Sequence, residues 1–242
     1  MQRMLSFTRR AIENYNMISE GDRIVVGVSG GKDSLAILSA LSHMRIFYPK
    51  KYEVIAVTID NGFKDQDPHA FDSVKKLCEE LNVQYIIKKT QIAEIIFEER
   101  KETNPCSLCA KMRRGALHDA CKELGANKLA LGHNFDDVVE TFVMNLFYEG
   151  RIGCFKPVTY LSRKDLTVIR PLIYANERDI KGFIRRRDIQ VVQSACPADK
   201  TTKREEIKTL LKTLEKDYKN LRMQIFGALE RADIDDWGKK NG

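Results

Sequence analysis

The chain is short of several things that would have settled its class at once. No apolar run in its 242 residues approaches the roughly 20 needed to cross a bilayer, so no membrane-spanning helix is expected. The opening stretch MQRMLSFTRRAIENYNM has basic residues but no uninterrupted apolar core. It does not read as a secretory leader, and a cytoplasmic protein is expected. Disulfides would not persist there, so the six cysteines point to metal or redox chemistry. There is no internal repeat and no low-complexity linker. A second C-x-x-C is missing, which disfavours a four-cysteine zinc ribbon. His43, His69 and His118 have no metal-ligand spacing. No Walker A loop is present either. The nearest stretch, GVSGGKDS (Gly27 to Ser34), is one residue too short and has Asp33 where Ser or Thr belongs.

What the chain does have is a globular composition. It is 43% hydrophobic and its mean hydropathy is -0.37. The formal net charge is +7 and the isoelectric point is about 9.0. That suits a polyanionic partner such as RNA, or a generally basic surface with no partner.

Apolar runs alternate with amphipathic stretches. Arg23 to Val28, Tyr52 to Asp60, Val83 to Lys89 and KLALGH read as four short strands. Helical periodicity follows in DSLAILSALSHMRIF, in PHAFDSVKKLCEELN, in KMRRGALHDACKELG and in DDVVETFVMNLFYEG. This order predicts an α/β fold with a doubly wound parallel sheet. Ligands of such sheets bind beyond the carboxyl ends of the strands. The segments SGGKDS, DNGF, TQIAEI and GHNFDD all emerge there. The expected organisation is an N-terminal helix in residues 1–20, the α/β domain in 21–190 and a helical region in 191–242. Within it, KPVTYLSRKDLTVIRPL reads as a hairpin or loop pair. NERDIKGFIRRRDI reads as a basic helix capped by Asn176, and Lys203 to Glu230 as one long amphipathic helix.

The loop after the first strand carries most of the functional signal. Gly30 and Gly31 let the backbone approach a phosphate, Ser29 and Ser34 offer hydroxyls, and Lys32 adds charge. The helix that follows adds the positive end of its dipole. Asp33 would cap that helix or help hold Mg²⁺. A tight turn with no ligand is the plainer alternative. SGGKDS resembles the PP-loop of the ATP-pyrophosphatase group (a HUP, Rossmann-like fold). The resemblance implies ATP bound by its β- and γ-phosphates, transfer of AMP to a substrate oxygen and release of pyrophosphate.

Cys106-x-x-Cys109 alone fits half a zinc site, a redox pair or two ligands of an iron–sulfur cluster. It is read as lying just before a helix. Cys196 follows far along the chain. Three thiolates would leave one position of a cluster open for an exogenous sulfide. Cys78, Cys121 and Cys154 read as structural. Taken with NYNMISEGDRIVVGVSGGKDS, CSLCAKMRRGAL, GHNFDDVVETFVMN and VIRPLIYANERDI, the set resembles the tRNA 2-thiocytidine synthetase (TtcA-type) family of iron–sulfur tRNA thiolases. Pro197 after Cys196 is closer to the 2-thiouridine branch, but that branch's terminal zinc cysteines are absent.

The resemblance implies a [4Fe–4S] cluster on Cys106, Cys109 and Cys196. It places ATP at Ser29, Gly30, Gly31, Lys32, Asp33 and Ser34, with Asp60 near the adenosine and Gly132 and His133 on the neighbouring rim. A tRNA pyrimidine, cytidine first and uridine second, would be adenylated at the C2 oxygen and then take sulfur. A cysteine desulfurase or free sulfide would supply it. Asp136 and Asp137 either cap a helix or act on Mg²⁺ or a proton, Asp137 being preferred. Arg113 and Arg114 would meet a tRNA phosphate or the base, or else are solvated helix charges. Arg185, Arg186 and Arg187 suit tRNA backbone, and Arg170 would face the site. The apolar face of the C-terminal helix would support a homodimer or pack on its own domain. A lysidine synthetase-like ligase would not need the three cysteines. A nucleic-acid-binding redox sensor would not need SGGKDS.

Overall fold

A computed structural model describes residues 1–100, 105–193, 195–196 and 203–238. Its sheet has six strands: β1 (Asp22–Gly27), β2 (Tyr52–Asp60), β3 (Gln84–Lys89), β4 (Lys128–Ala130), β5 (Val158–Leu161) and β6 (Leu166–Ile169). Their spatial order is β3-β2-β1-β4-β6-β5. Every neighbouring pair is parallel except the β5–β6 hairpin, which adds one antiparallel edge strand. The helices are α1 (Gln2–Asn14), α2 (Lys32–Met44), α3 (Asp72–Glu80), α4 (Ile92–Glu94), α5 (Pro105–Glu123), α6 (Phe135–Tyr148), α7 (Glu177–Arg186), α8 (Lys203–Leu214) and α9 (Leu221–Arg231). A π-helical turn, Ile95–Glu99, extends α4.

Alternation along β1 decides how the sheet is covered. Ile24 and Val26 belong to one buried cluster and Val25 to another. Successive side chains of a strand point to opposite faces, so both faces need helices. The first face packs against α1, α2, α3 and α6 to α9. The second is covered by α4 and α5 through Ile92, Ile96, Ala120 and Cys121. Near-continuous apolar strands such as YEVIAVTID are the sequence mark of that double burial. The two ends of the chain share the first core. Tyr15, Tyr174, Phe226 and Trp237 form one aromatic group, in which the Tyr15 hydroxyl donates to the Trp237 carbonyl at 3.0 Å.

Three expectations need correcting. The stretch from Lys203 to Glu230 is two helices. A straight helix of that length would run about 42 Å and leave the domain. The chain instead turns at Asn220, which takes a left-handed φ of 62°, and returns α9 to the core. There Ile207, Leu211, Phe226 and Leu229 are buried, so the apolar face of this region is spent on its own chain. Second, α5 starts at Pro105, before rather than after the cysteine pair. Proline suits a first helical turn because its missing N–H has no partner there anyway. Third, the helix expected from Pro68 begins at Asp72, after a run of turns.

Candidate active site

Strand order reverses at β1, which lies between β2 and β4. The crevice at such a switch point is where an open α/β sheet binds ligands. SGGKDS leaves β1 at that crevice. Ser34, nearly buried, ties the loop together. Its hydroxyl donates to the Gly31 carbonyl at 2.8 Å and accepts from the Ser29 amide at 3.2 Å and the Ser29 hydroxyl at 3.3 Å. Gly30 has a φ of 81°, and its carbonyl accepts from the Val192 amide at 3.0 Å. A Cβ there would lie 2.4 Å from Val192 Cγ2. Across the crevice, a Cβ on Gly132 would lie 2.9 Å from the Asp33 carbonyl carbon. Both glycines therefore permit backbone approaches that a side chain would block.

The crevice holds a pocket of about 210 Å³. Ser29, Asp33, Ser34, Gly132, His133, Asp137 and Arg113 line it, over apolar walls from β1, β2 and α5. Gly30 and Gly31 belong to the same loop. Lys32 does not face the pocket. Its ammonium pairs with Asp33 at 2.9 Å and Glu177 at 3.3 Å. The Asp60 carboxylate turns onto the Gly62 amide at 3.0 Å, just past Ile59 on the pocket wall.

Asn134 organises the opposite lip. Its side-chain oxygen accepts from the Asp136 and Asp137 amides, and Asp137 returns a bond to the Asn134 amide at 3.0 Å. This capping box sets the start of α6. Asn134 Nδ2 also donates to Asp33 at 3.0 Å, which joins the two loops. Asp137 faces the pocket, and its second oxygen accepts from Arg204 at 2.7 Å. Burial pushes its carboxyl up, and Arg204 pulls the other way. Asp136 is turned away. It accepts from the Glu177 amide at 2.7 Å and pairs with Arg222 at 3.0 Å, so its role is to join α6, α7 and α9 rather than to act in the pocket.

Burial pushes the His133 imidazole down to about 3, and Arg170 adds to the effect. His133 is therefore neutral at physiological pH. Its ring lies tilted against the Phe155 ring, with centres 4.8 Å apart. The Arg170 guanidinium sits 5.1 Å from the centre of the same ring, and its Nη1 donates to the Lys156 carbonyl at 2.6 Å and Thr159 at 3.1 Å. Arg170 thus braces the Phe155 ring behind His133.

Cys106 and Cys109 lie in the first turns of α5, with Cys106 exposed and Cys109 and Cys196 part-exposed. Burial pushes the Cys109 thiol up and Arg113 opposes this. Cys196 and Cys106 add to the rise, so both are within electrostatic reach of the Cys109 thiol. Cys78, Cys121 and Cys154 differ: all are buried and pushed up to about 12 by burial. Among the described residues, no three His, Cys, Asp or Glu side chains are gathered to hold a single metal ion. A multi-iron cluster is larger than one ion and needs a wider set.

Arg114 is exposed beside the cysteine pair. Arg185 and Arg186 line an open groove of about 790 Å³ with Arg3, Arg178 and Lys181. Arg187 lines a separate groove beside His43 and Lys76. Sequence reading missed Asn134, Arg204 and Phe155. The N-x-x-D spacing of Asn134 and Asp137 was an available signal. Arg204 carried none, since its partner is 67 positions away.

No described helix is long and apolar enough to cross a membrane. Residues 4–214 match the model of the PP-loop domain family. The tRNA-cytidine(32) 2-sulfurtransferase of Syntrophotalea carbinolica is 37% identical, over 94% of this chain and 88% of its own. That of Geobacter sulfurreducens is 39% identical, over 91% and 86%. The U34-tRNA thiolase NcsA of Methanococcus maripaludis, solved with its [4Fe-4S] cluster, superposes with a TM-score of 0.79 at 25% identity, over 96% of this chain and 78% of its own. The chain therefore belongs to the PP-loop family and, within it, to the tRNA-cytidine(32) 2-sulfurtransferases.

Proposed function

We propose that this chain is an ATP-dependent tRNA thiolase that replaces the C2 oxygen of a tRNA cytidine with sulfur, at position 32 as in its relatives. The observation that carries the reading is the position of Arg113. It lines the phosphate-loop pocket and lies one turn of α5 beyond Cys109, so one side chain adjoins both halves of the chemistry.

In the first half, the C2 oxygen attacks the α-phosphorus of ATP and pyrophosphate leaves. The amides of Gly30 and Gly31, the hydroxyls of Ser29 and Ser34 and the N-terminus of α2 hold the β- and γ-phosphates. Adenosine lies against Val57 and Ile59, near Asp60. Asp33 and Asp137 are the pocket carboxylates that would hold Mg²⁺, which would offset phosphate charge. Arg113 neutralises charge at the adenylated base. His133, being neutral, serves as a hydrogen-bonding wall and not as an acid.

In the second half, sulfur adds to C2, the C–O bond breaks and AMP leaves. A [4Fe–4S] cluster on Cys106, Cys109 and Cys196 would supply an iron free of protein ligands where sulfide can be presented. The exposure of these thiols, and the influence of Cys106 and Cys196 on Cys109, support that assignment. Sulfide is the donor, either free or released from a cysteine desulfurase persulfide by a thiol reductant that is oxidised to a disulfide. Arg114, Arg185, Arg186 and Arg187 contact the tRNA backbone, and the protein works with its tRNA in the cytoplasm.

Anaerobic purification, with visible absorption, iron content and AMP release on tRNA, tests this reading. The expected result is a coloured protein that makes AMP only with tRNA. Cys196→Ala is expected to lose iron and thiolation together while folding normally. A colourless zinc protein, or full thiolation by Cys196→Ala, would overturn the cluster assignment. Nucleoside mass spectrometry of tRNA from a deletion strain decides the base: loss of 2-thiocytidine supports it, and loss of a 2-thiouridine refutes it.

A further inference from the structure

Asp137 is gripped from two sides. One carboxylate oxygen accepts from the Asn134 amide at 3.0 Å, within its own helix cap. The other accepts from Arg204 Nη1 at 2.7 Å, and Arg204 Nη2 donates to Thr141 Oγ1 at 3.2 Å. Arg204 stands in the first turn of α8, on the stretch of chain that follows Cys196. It reaches across to α6 from outside the α/β core. A carboxylate has about four acceptor positions, so these two bonds fix its rotamer and still leave lone pairs for the pocket.

The same helix makes a second contact beside the loop. Lys208, one turn on, pairs with Glu177 at 3.3 Å, and Glu177 also holds Lys32. Helix α8 thus touches the carboxylates on both flanks of SGGKDS. Its own docking does not depend on Arg204, because Ile207 and Leu211 are buried in the main core. The charges facing Asp137 are Arg204 from α8, Asp33 and Lys32 from α2 and Glu140 from its own helix.

We propose that Arg204 is a positioning residue for the ATP pocket. By gripping Asp137 and Thr141 together it orients the Asp137 carboxylate, and it makes the adenylation site depend on the segment that also carries Cys196. The inference rests on the adenylation reading above. Its consequence is that the phosphate loop alone is not a complete site: the C-terminal region supplies its last brace.

The experiment measures kcat and KM for AMP release on tRNA in the full chain loaded with iron and sulfide. Arg204→Ala is expected to lower kcat by about ten- to a hundredfold, the scale of a misplaced group. KM for ATP should stay within about threefold, because the phosphate grip is untouched. Arg204→Lys should recover part of the loss, and added guanidinium should rescue the alanine variant. In an Asp137→Asn background, Arg204→Ala should cost no more than about threefold further, since coupled groups are non-additive. Lys212→Ala, on the exposed side of α8, should behave as wild type. Arg204→Ala with kcat within twofold of wild type would overturn the inference alone. So would losses at Arg204 and Asp137 that multiply independently, or a loss confined to thermal stability that neither Arg204→Lys nor guanidinium repairs. A wild-type chain that makes no AMP would overturn the adenylation reading first, and the inference with it.

Discussion

Ser34 has two duties in the phosphate loop. Its hydroxyl closes the turn through the Ser29 amide and the Gly31 carbonyl, and it lines the pocket. Ser34→Ala removes a buried hydroxyl whose single proton, held by the Gly31 carbonyl, would rotate to donate to a charged ligand. Such a bond is worth about 1.5–3 kcal/mol, or roughly ten- to a hundredfold in affinity. ATP binding measured by calorimetry should weaken by that factor while melting temperature shifts little. Unchanged affinity would move the phosphates elsewhere. The loop was legible in the sequence because its chemistry is local: two glycines, two hydroxyls and a following helix. The adjacent pair Asp136 and Asp137 was not. Consecutive residues of a helix point about 100° apart, so one carboxylate looks into the pocket and the other meets Glu177 and Arg222. Lys32 likewise read as a phosphate ligand, and only the fold reveals the carboxylates that draw it aside.

At the scale of elements, the start of α6 joins fold to function. Asn134 caps the helix and bridges to Asp33 across the crevice. Asn134→Ala removes both. Loss of such a cap costs about 0.5–2 kcal/mol, which denaturant unfolding would register. The lost bridge should also weaken ATP binding, whereas Asn134→Ser keeps a capping oxygen, adds no charge beside Asp33 and loses the Nδ2 donor. Stability restored by Ser with ATP binding still impaired is the expected pattern; wild-type ATP binding by both variants would deny the bridge any role. The strands and most helices could be read from periodicity, since apolar spacing is set by the element itself. The start of α5 was misread because its periodic apolar pattern begins well inside the helix, after Lys111, whereas the helix itself starts at Pro105. The break between α8 and α9 had only a weak local signal. EKDYKN holds only the weak signal of Asp217, Tyr218 and Asn220, poor helix formers of which Asn220 also tolerates the left-handed turn, and burial of Phe226 and Leu229 decides it.

Over the whole molecule, the C-terminal helices are bound to the α/β core by an aromatic group and by buried charge. Glu140 is the charged side chain most enclosed in that junction, 6% exposed, between Arg222 at 3.5 Å and Arg204 at 3.9 Å. Burial pushes its carboxyl up to about 7; Asp137 adds to the rise and the two arginines oppose it. The folded chain therefore holds this proton more tightly than the unfolded chain does. Its contribution to stability is complete below the ordinary carboxylate value, near 4.5, and is lost as pH rises through about 7. Glu177 works in the opposite sense and in another window. Burial resists its ionisation, but Lys181, Lys32 and Lys208 outweigh that and hold it down to about 2. Its stabilisation is present above 4.5 and disappears only as pH falls towards 2. The two effects can be separated by thermal melts from pH 3 to pH 8. Wild type should lose stability relative to Glu140→Gln between pH 5 and pH 7.5, while both proteins keep the same acid limb below pH 4. Parallel curves across the neutral range would mean that Glu140 is already ionised at pH 5, held by its two arginines. The C-terminal region would then be fastened by a charge pair of the ordinary kind. A neutral-range slope that Glu140→Gln abolishes would show that the junction carries a proton when the fold is most stable, and that the fold loses stability as that proton leaves.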